Sequence, residues 1–148
     1  MLLKKLVVAS VIVGTAFVSG CASVNKAPAA MDAEAKKFAP NANYSQVYVY
    51  RNETMGAALS MPVTVDGKLA GTTGPNSFFK FDLPAGKHVI TSQGNESKLD
   101  IETLNNKNYY VWQEVKMGAF SGGSKLQLVD EAKGKAGVSE CTLIKNNF

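Results

Sequence analysis

From Tyr44 onward, apolar residues in this chain come in short bursts, and Gly, Pro, Asn or Asp closes almost every one. A helix that holds in isolation needs about 12–15 residues, so this cadence commits the chain to strands. Val47-Tyr-Val-Tyr-Arg51 sets Tyr48 and Tyr50 on one face against Val47, Val49 and Arg51 on the other. The run from Ala58 to Val65 ends at Asp66-Gly67 and resumes at Lys68-Leu-Ala70. Asp and Gly tolerate the positive φ of a two-residue type I′ turn, so these runs form a hairpin. Ser77–Leu83 places Phe79 and Phe81 opposite Phe78, Lys80 and Asp82, and Pro84-Ala-Gly86 turns it into Lys87–Thr91. Ser97–Thr103 points Leu99 and Ile101 inward. Tyr109–Val115 is the heaviest apolar run and belongs at the centre of a sheet.

The carboxyl-terminal part continues with a short strand at Lys125–Asp130 and one or two loose helical turns between Asp130 and Gly137, weakened by Gly134 and Gly137. A last strand covers Ser139–Ile144. Seven to nine short strands, spaced by about eight to twelve residues, describe a mainly β sandwich or small barrel with short helical pieces at its edges.

The first twenty residues carry a different message. Lys4 and Lys5 precede thirteen mostly apolar residues, Leu6 to Val18. As a helix of ~1.5 Å per residue that run spans about 20 Å, short of the ~30 Å hydrocarbon layer. It has the form of a signal peptide. Val18-Ser19-Gly20-Cys21 resembles the bacterial lipobox, at which a peptidase cuts before the cysteine and the thiol carries a diacylglycerol. The resemblance implies further acylation of the new amine, and two or three chains make anchoring durable at about 0.8 kcal/mol per buried CH₂. Ala22 in place of Asp implies, by enterobacterial sorting rules, the periplasmic face of the outer membrane.

The expected division is therefore a signal peptide over 1–20, a lipidated terminus and flexible tether over 21–43, and a β domain over 44–148. Within the tether, Met31–Phe38 has room for two helical turns between Pro28 and Pro40, too short to stand alone and expected to lie on the domain where ordered. With Cys21 lipidated, Cys141 is the one remaining thiol, so no internal disulfide forms and the core alone must hold the fold. Cys141 shares its phase with Leu143 and reads as a small buried hydrophobe.

Five segments carry a resemblance to a known family: Val47–Arg51, Met61–Lys68, Phe79–His88, Tyr109–Val115 and Leu126–Asp130. Together they resemble the bacterial lipoprotein family of the domain of unknown function 2846 type. VDGKLAGTT followed by FFKFDLPAGKHVI is also similar to the PEGA-type pattern, which implies an immunoglobulin-like or transthyretin-like β-sandwich. Neither resemblance implies a chemistry.

Chemistry-bearing residues are sparse. His88, the sole histidine, reads as a half-exposed strand residue or a turn's hydrogen-bonding partner, and its replacement by Ala is expected to leave folding intact. One His and one free Cys lack the paired spacing of a zinc site, and no calcium loop is present, so no metal or cofactor is expected beyond the lipid on Cys21. Gly118–Ser124 lacks the Lys-Ser/Thr end of a phosphate loop. It reads instead as a mobile binding loop, with Met117, Gly118, Phe120, Gly122 and Gly123 as candidates to close over a partner. Tyr48 or Tyr110 is a candidate for a ligand-facing surface. From Cys21 on, 14 basic and 12 acidic side chains leave a net charge of +2, and the dispersed lysines exclude nucleic acid as a partner.

The functional expectation is a lipid-anchored binding or scaffolding module of the cell envelope, touching the membrane through its anchor and an envelope protein through its domain. Two alternatives stand beside it. One is a small-ligand carrier or enzyme with a site near 118–124 and His88 at the rim. The other is a β domain that pairs with a second copy of itself.

Overall fold

Strand β1 (Ser45–Arg51) is buried along its entire length in the computed structural model, which describes residues 24–94, 96–118 and 122–148. Val18, Ser19, Gly20, Cys21 and Phe120 lie outside the described residues. β1 runs parallel to β7 (Asn108–Met117) on one side and antiparallel to β4 (Ser77–Leu83) on the other. The sheet continues outward to β8 (Gly122–Val129) beyond β7, and to the two-residue β9 (Thr142–Leu143) beyond β4. A second sheet has the order β3 (Lys68–Thr73), β2 (Met61–Val65), β5 (Gly86–Thr91), β6 (Lys98–Thr103). Among the described residues, 50% are in strands and bridges against 13% in helix, the mainly β, sandwich-like fold that the strand cadence predicts.

Two separate cores flank the five-stranded sheet. Between the sheets, Val47 and Val49 of β1 meet Phe79, Phe81, Val63, Val65, Ile90 and Val111. On the opposite face, Tyr48, Tyr50, Phe78 and Tyr110 form an aromatic layer under two helices, α1 (Ala29–Ala35) and α2 (Glu131–Ser139). Alternating side chains of β1 feed both cores, which is why that segment reads as apolar throughout. A strand with parallel pairing and cover on both faces has no solvent side. Tyr48 and Tyr110, the candidates for a ligand-facing surface, are both in this layer and buried, which corrects that expectation.

Both open sides of the sandwich are closed. On one, the tail after β9 bridges the sheets: Asn146 Nδ2 donates to the Lys80 carbonyl of β4, and Asn147 N–H to that of Ala70 in β3. On the other, Glu96 pairs with Lys125, and the amides of Ser124 and Leu126 donate to the carbonyls of Gln93 and Glu96. A backbone edge joined in this way offers little ladder to another chain.

Three boundaries differ from the sequence reading. Residues 24–43 do not run free of the domain: Val24 packs on the inter-sheet core, Lys26 bridges to Ile144, and Ala27 N–H donates to Leu143 O. Tyr48 Oη donates to the carbonyl of Ala35, tying α1 to the aromatic layer. Ala58–Ser60 is loop and β2 starts only at Met61, because Arg51 takes the Gly56 and Leu59 carbonyls that a ladder would need. Ser139 closes α2 instead of opening a strand, so β9 is short.

α2 is more regular than its sequence suggests. Asp130 caps it by accepting from the Lys133 amide at 2.8 Å, and Glu131 pairs with Lys135 one turn on. Gly134 and Gly137 cost helix propensity of about 1 kcal/mol each, yet they form its contact face. A Cβ on Gly134 would overlap the Cβ and ring of Tyr110, and one on Gly137 would overlap the ring of Tyr50. The helix backbone can therefore lie directly on the aromatic layer. Gly134→Ala and Gly137→Ala, which raise propensity, are expected to lower stability by about 1–3 kcal/mol through overpacking. Urea unfolding checks this, and a gain in stability for either would show that the rings have room to move.

Candidate functional site

One end of the sandwich gathers most of the molecule's unusual chemistry. Here β1 ends at Arg51, the sole arginine of the chain, whose side chain is fully buried. Its Nη1 donates to the carbonyls of Leu59 (2.7 Å) and Thr73 (3.1 Å), and Nη2 donates to that of Gly56 (2.8 Å). A guanidinium presents its donors in a fixed planar fork, so three carbonyls from two segments are held at set angles and the 52–60 loop is shaped around it. Burial pushes the guanidinium below its ordinary value, with the nearby Glu53 carboxylate acting the other way.

Below this loop a buried polar chain crosses between the sheets. Thr73 Oγ1 donates to Gln113 Oε1 at 2.6 Å, and Gln113 Nε2 donates to Ser92 Oγ at 2.7 Å. Each polar atom of the Gln113 amide has a partner, which the interior requires. The alternation of β7 marks Gln113 as an inward position, but nothing in the sequence pairs it with Thr73 and Ser92, since those contacts span 40 and 21 residues. Arg51 was placed on the Val47–Val49 face by the same alternation, and its role as an internal anchor carried no sequence signal.

Over this frame lies the hairpin between β7 and β8. Met117 pairs with Gly122, so Gly122 and Gly123 belong to strand β8 and not to a mobile loop. This corrects the candidate loop in part: Gly118 remains in the connection, and Met117 closes β7. Leu59 from the Arg51-shaped loop covers Gly122, and Gly56 sits beside Met117 and Val115. Met117 is 57% exposed and Met55 is 54% exposed. Next to these thioethers opens a cleft of about 410 Å³, lined by Gly94, Glu96, Lys116, Gly118, Gly122 and Ser124. The surface thus sets exposed thioethers near a hollow of mixed polar and apolar lining to which glycines contribute most. Thioethers suit surfaces that must fit a partner of irregular shape.

His88 is not part of this end. It lies four residues before Ser92 within β5, in phase with buried Ile90, and borders a different hollow. Among the described residues, His88 and the 118–124 region border separate hollows, so the carrier arrangement with His88 at the rim is not found there. Instead the ring is 7% exposed and bonded on both sides: Nδ1 to Asp66 Oδ2 at 2.6 Å and Nε2 to the Pro84 carbonyl at 2.7 Å. Asp66 holds φ +50° in the β2–β3 turn, its other oxygen accepts from Val89 N–H, and its own amide donates to Val89 O. The Asp-Gly turn is thereby latched onto β5. Both partners of the ring are acceptors, and only the imidazolium can donate to the two at once. The ring is buried and not half-exposed, and it is the turn's hydrogen-bonding partner that the sequence reading offered as the other role; its replacement is therefore expected to cost stability.

Other reactive groups are equally committed. Cys141 is buried in the aromatic layer, where burial pushes its thiol up to about 12. Among the described residues no cluster of three or more His, Cys, Asp or Glu could hold a metal ion, and no helix is long and apolar enough to cross a membrane.

Comparison with known proteins gives a matching picture. Residues 41–124 match the family described as protein of unknown function (DUF2846). A Haemophilus influenzae protein described as uncharacterized is 35% identical over 144 residues, covering 95% of this chain and 86% of the relative. No solved structure matches.

The latch titrates at two ends. Burial opposes charge on His88, but the bonds to Asp66 and Pro84 outweigh it and raise the ring above its ordinary value. Its contribution is complete below the unfolded value of about 6.5 and is lost as pH rises through the higher folded value. Burial likewise opposes the Asp66 carboxylate, and the His88 and Val89 bonds prevail to lower it. That contribution is complete above about 3.9 and is lost as pH falls through the lower folded value. His88→Asn should cost about 1.5–3 kcal/mol near pH 6 and progressively less toward about pH 9. Urea midpoints of both proteins across that range test it, and parallel curves would remove the charged latch from the account.

Proposed function

The chain belongs to the DUF2846 family, and we propose that it serves as a lipid-anchored, non-enzymatic binding module of the bacterial cell envelope. The observation that carries this reading is the fate of the reactive side chains. The sole histidine, the sole arginine and Cys141 are all internal and spent on holding the fold. What the molecule offers outward at the Arg51 end is the unbranched thioethers of Met55 and Met117 near a hollow of mixed lining. Such a surface recognises a protein by shape and apolar burial.

The anchor is the second half of the proposal. Cys21 follows Val18-Ser19-Gly20, and the thioether to diacylglycerol with an acyl group on the amine holds the mature protein at the periplasmic face of the outer membrane. Partner recognition then takes place from a fixed site on the membrane. The joined sheet edges weigh against edge-to-edge pairing with a second copy as the main activity.

Cys21→Ser is expected to move the protein from the membrane to the soluble fraction, and the mass of the wild-type protein should include the lipid. Crosslinking in intact envelopes tests recognition: Met55→Asp with Met117→Asp should abolish the crosslinked species at unchanged stability. His88→Asn should retain it at a temperature where that variant is folded. Loss of the species in folded His88→Asn, with retention in the methionine variant, would overturn the binding surface.

A further inference from the structure

We propose that the β9–β3 side of the sandwich lies directly against the lipid headgroups, so that the domain is seated on the membrane and not held clear of it. The inference deepens the anchoring proposal and rests on lipidation of Cys21. A flexible tether over 21–43 would separate lipid and domain by a root-mean-square distance of about 25 Å. The structure leaves no such length. Val24 already packs on the inter-sheet core, Asn25 O accepts from Lys145 N–H at 2.8 Å, and Lys26 pairs with Ile144. Only Ala22 and Ser23 separate Cys21 from the anchored chain. Three Cα steps reach at most about 11 Å. The headgroup region of one leaflet takes up about 5–7 Å of that. Val24 is therefore held within a few ångströms of the lipid surface, and the side of the domain around it must face the membrane.

That side has the chemistry for the contact. A groove of about 620 Å³ runs between α1 and the tail after β9, and its rim includes Met31 and Phe148, each more than half exposed. Phe148 is held in place by Phe81, with ring centroids 5.6 Å apart. Lys26 and Lys145 are exposed alongside, suited to anionic headgroups. Two carboxylates also line the groove, Asp82 and Glu34, and each is paired with a lysine, Lys80 and Lys37 respectively. An aromatic, a thioether and free lysine heads are side chains that sit well at a headgroup boundary. The opposite side of the same sheet, β8 with exposed Leu128, then points away from the membrane, and the Met55–Met117 ridge stays open to a partner.

The test uses the full lipidated protein in vesicles of phosphatidylethanolamine and phosphatidylglycerol. Met31→Cys, Phe148→Cys and Leu128→Cys each receive a nitroxide label. Cys21 is blocked by its thioether and Cys141 is buried with its thiol raised to about 12, so labelling is selective. Labels at 31 and 148 are expected to be several-fold less accessible to a water-soluble nickel chelate than the label at 128, and more accessible to oxygen. Equal nickel access at all three positions, in protein whose mass includes the lipid, would overturn the seating and leave the anchor standing. A mass without lipid would remove the anchor and the seating together. Protection at 31 and 148 that persists in Cys21→Ser without vesicles would assign the face to a protein contact and overturn the proposal.

Discussion

Strand β1 has water on neither face, and the rest of the molecule is arranged by that constraint. Its valines feed the core between the sheets, its tyrosines feed the layer beneath the helices, and Arg51 ends it inside the protein. A seven-residue strand can be covered twice only if something closes the outer face of its sheet. α1 and α2 do so, and α2 manages it through glycines that let its backbone rest on tyrosine rings. Removing both helices would turn Tyr48, Tyr50 and Tyr110 toward water, about 150–250 Å² of aromatic surface each.

Arg51 sets a second constraint. Three backbone carbonyls take the Nη1 and Nη2 donors of this buried cation, while its Nε has no partner among the described residues, and it shapes the 52–60 loop in return. The Thr73–Gln113–Ser92 chain fixes the spacing of the two sheets at the same end.

Histidine at position 88 shows how a reactive residue can be fully absorbed by architecture. The VDG turn and the LPAGKH turn, far apart in sequence, meet as carboxylate, imidazolium and carbonyl. The latch joins the β2–β3 hairpin to β5 where the ladder between β2 and β5 is shortest, with only two residue pairs. Charge there strengthens the fold and leaves no ring nitrogen for proton transfer.

The sequence determined the local grammar: alternation set which side of each strand faces inward, and Asp66-Gly67 set the tightest hairpin. These are properties of neighbouring residues, so periodicity and turn chemistry report them directly. Only the tertiary structure decided that β1 is central and parallel to β7, and that Gly134 and Gly137 are a contact face and not a weakness. The same holds for Gly122 and Gly123, which lie in a strand, and for Arg51, Gln113 and His88, which work as internal ties. Each of these depends on which groups, tens of residues apart, fill one another's hydrogen bonds or empty space. That information is carried by complementarity of shape and charge across the fold, and no local pattern records it.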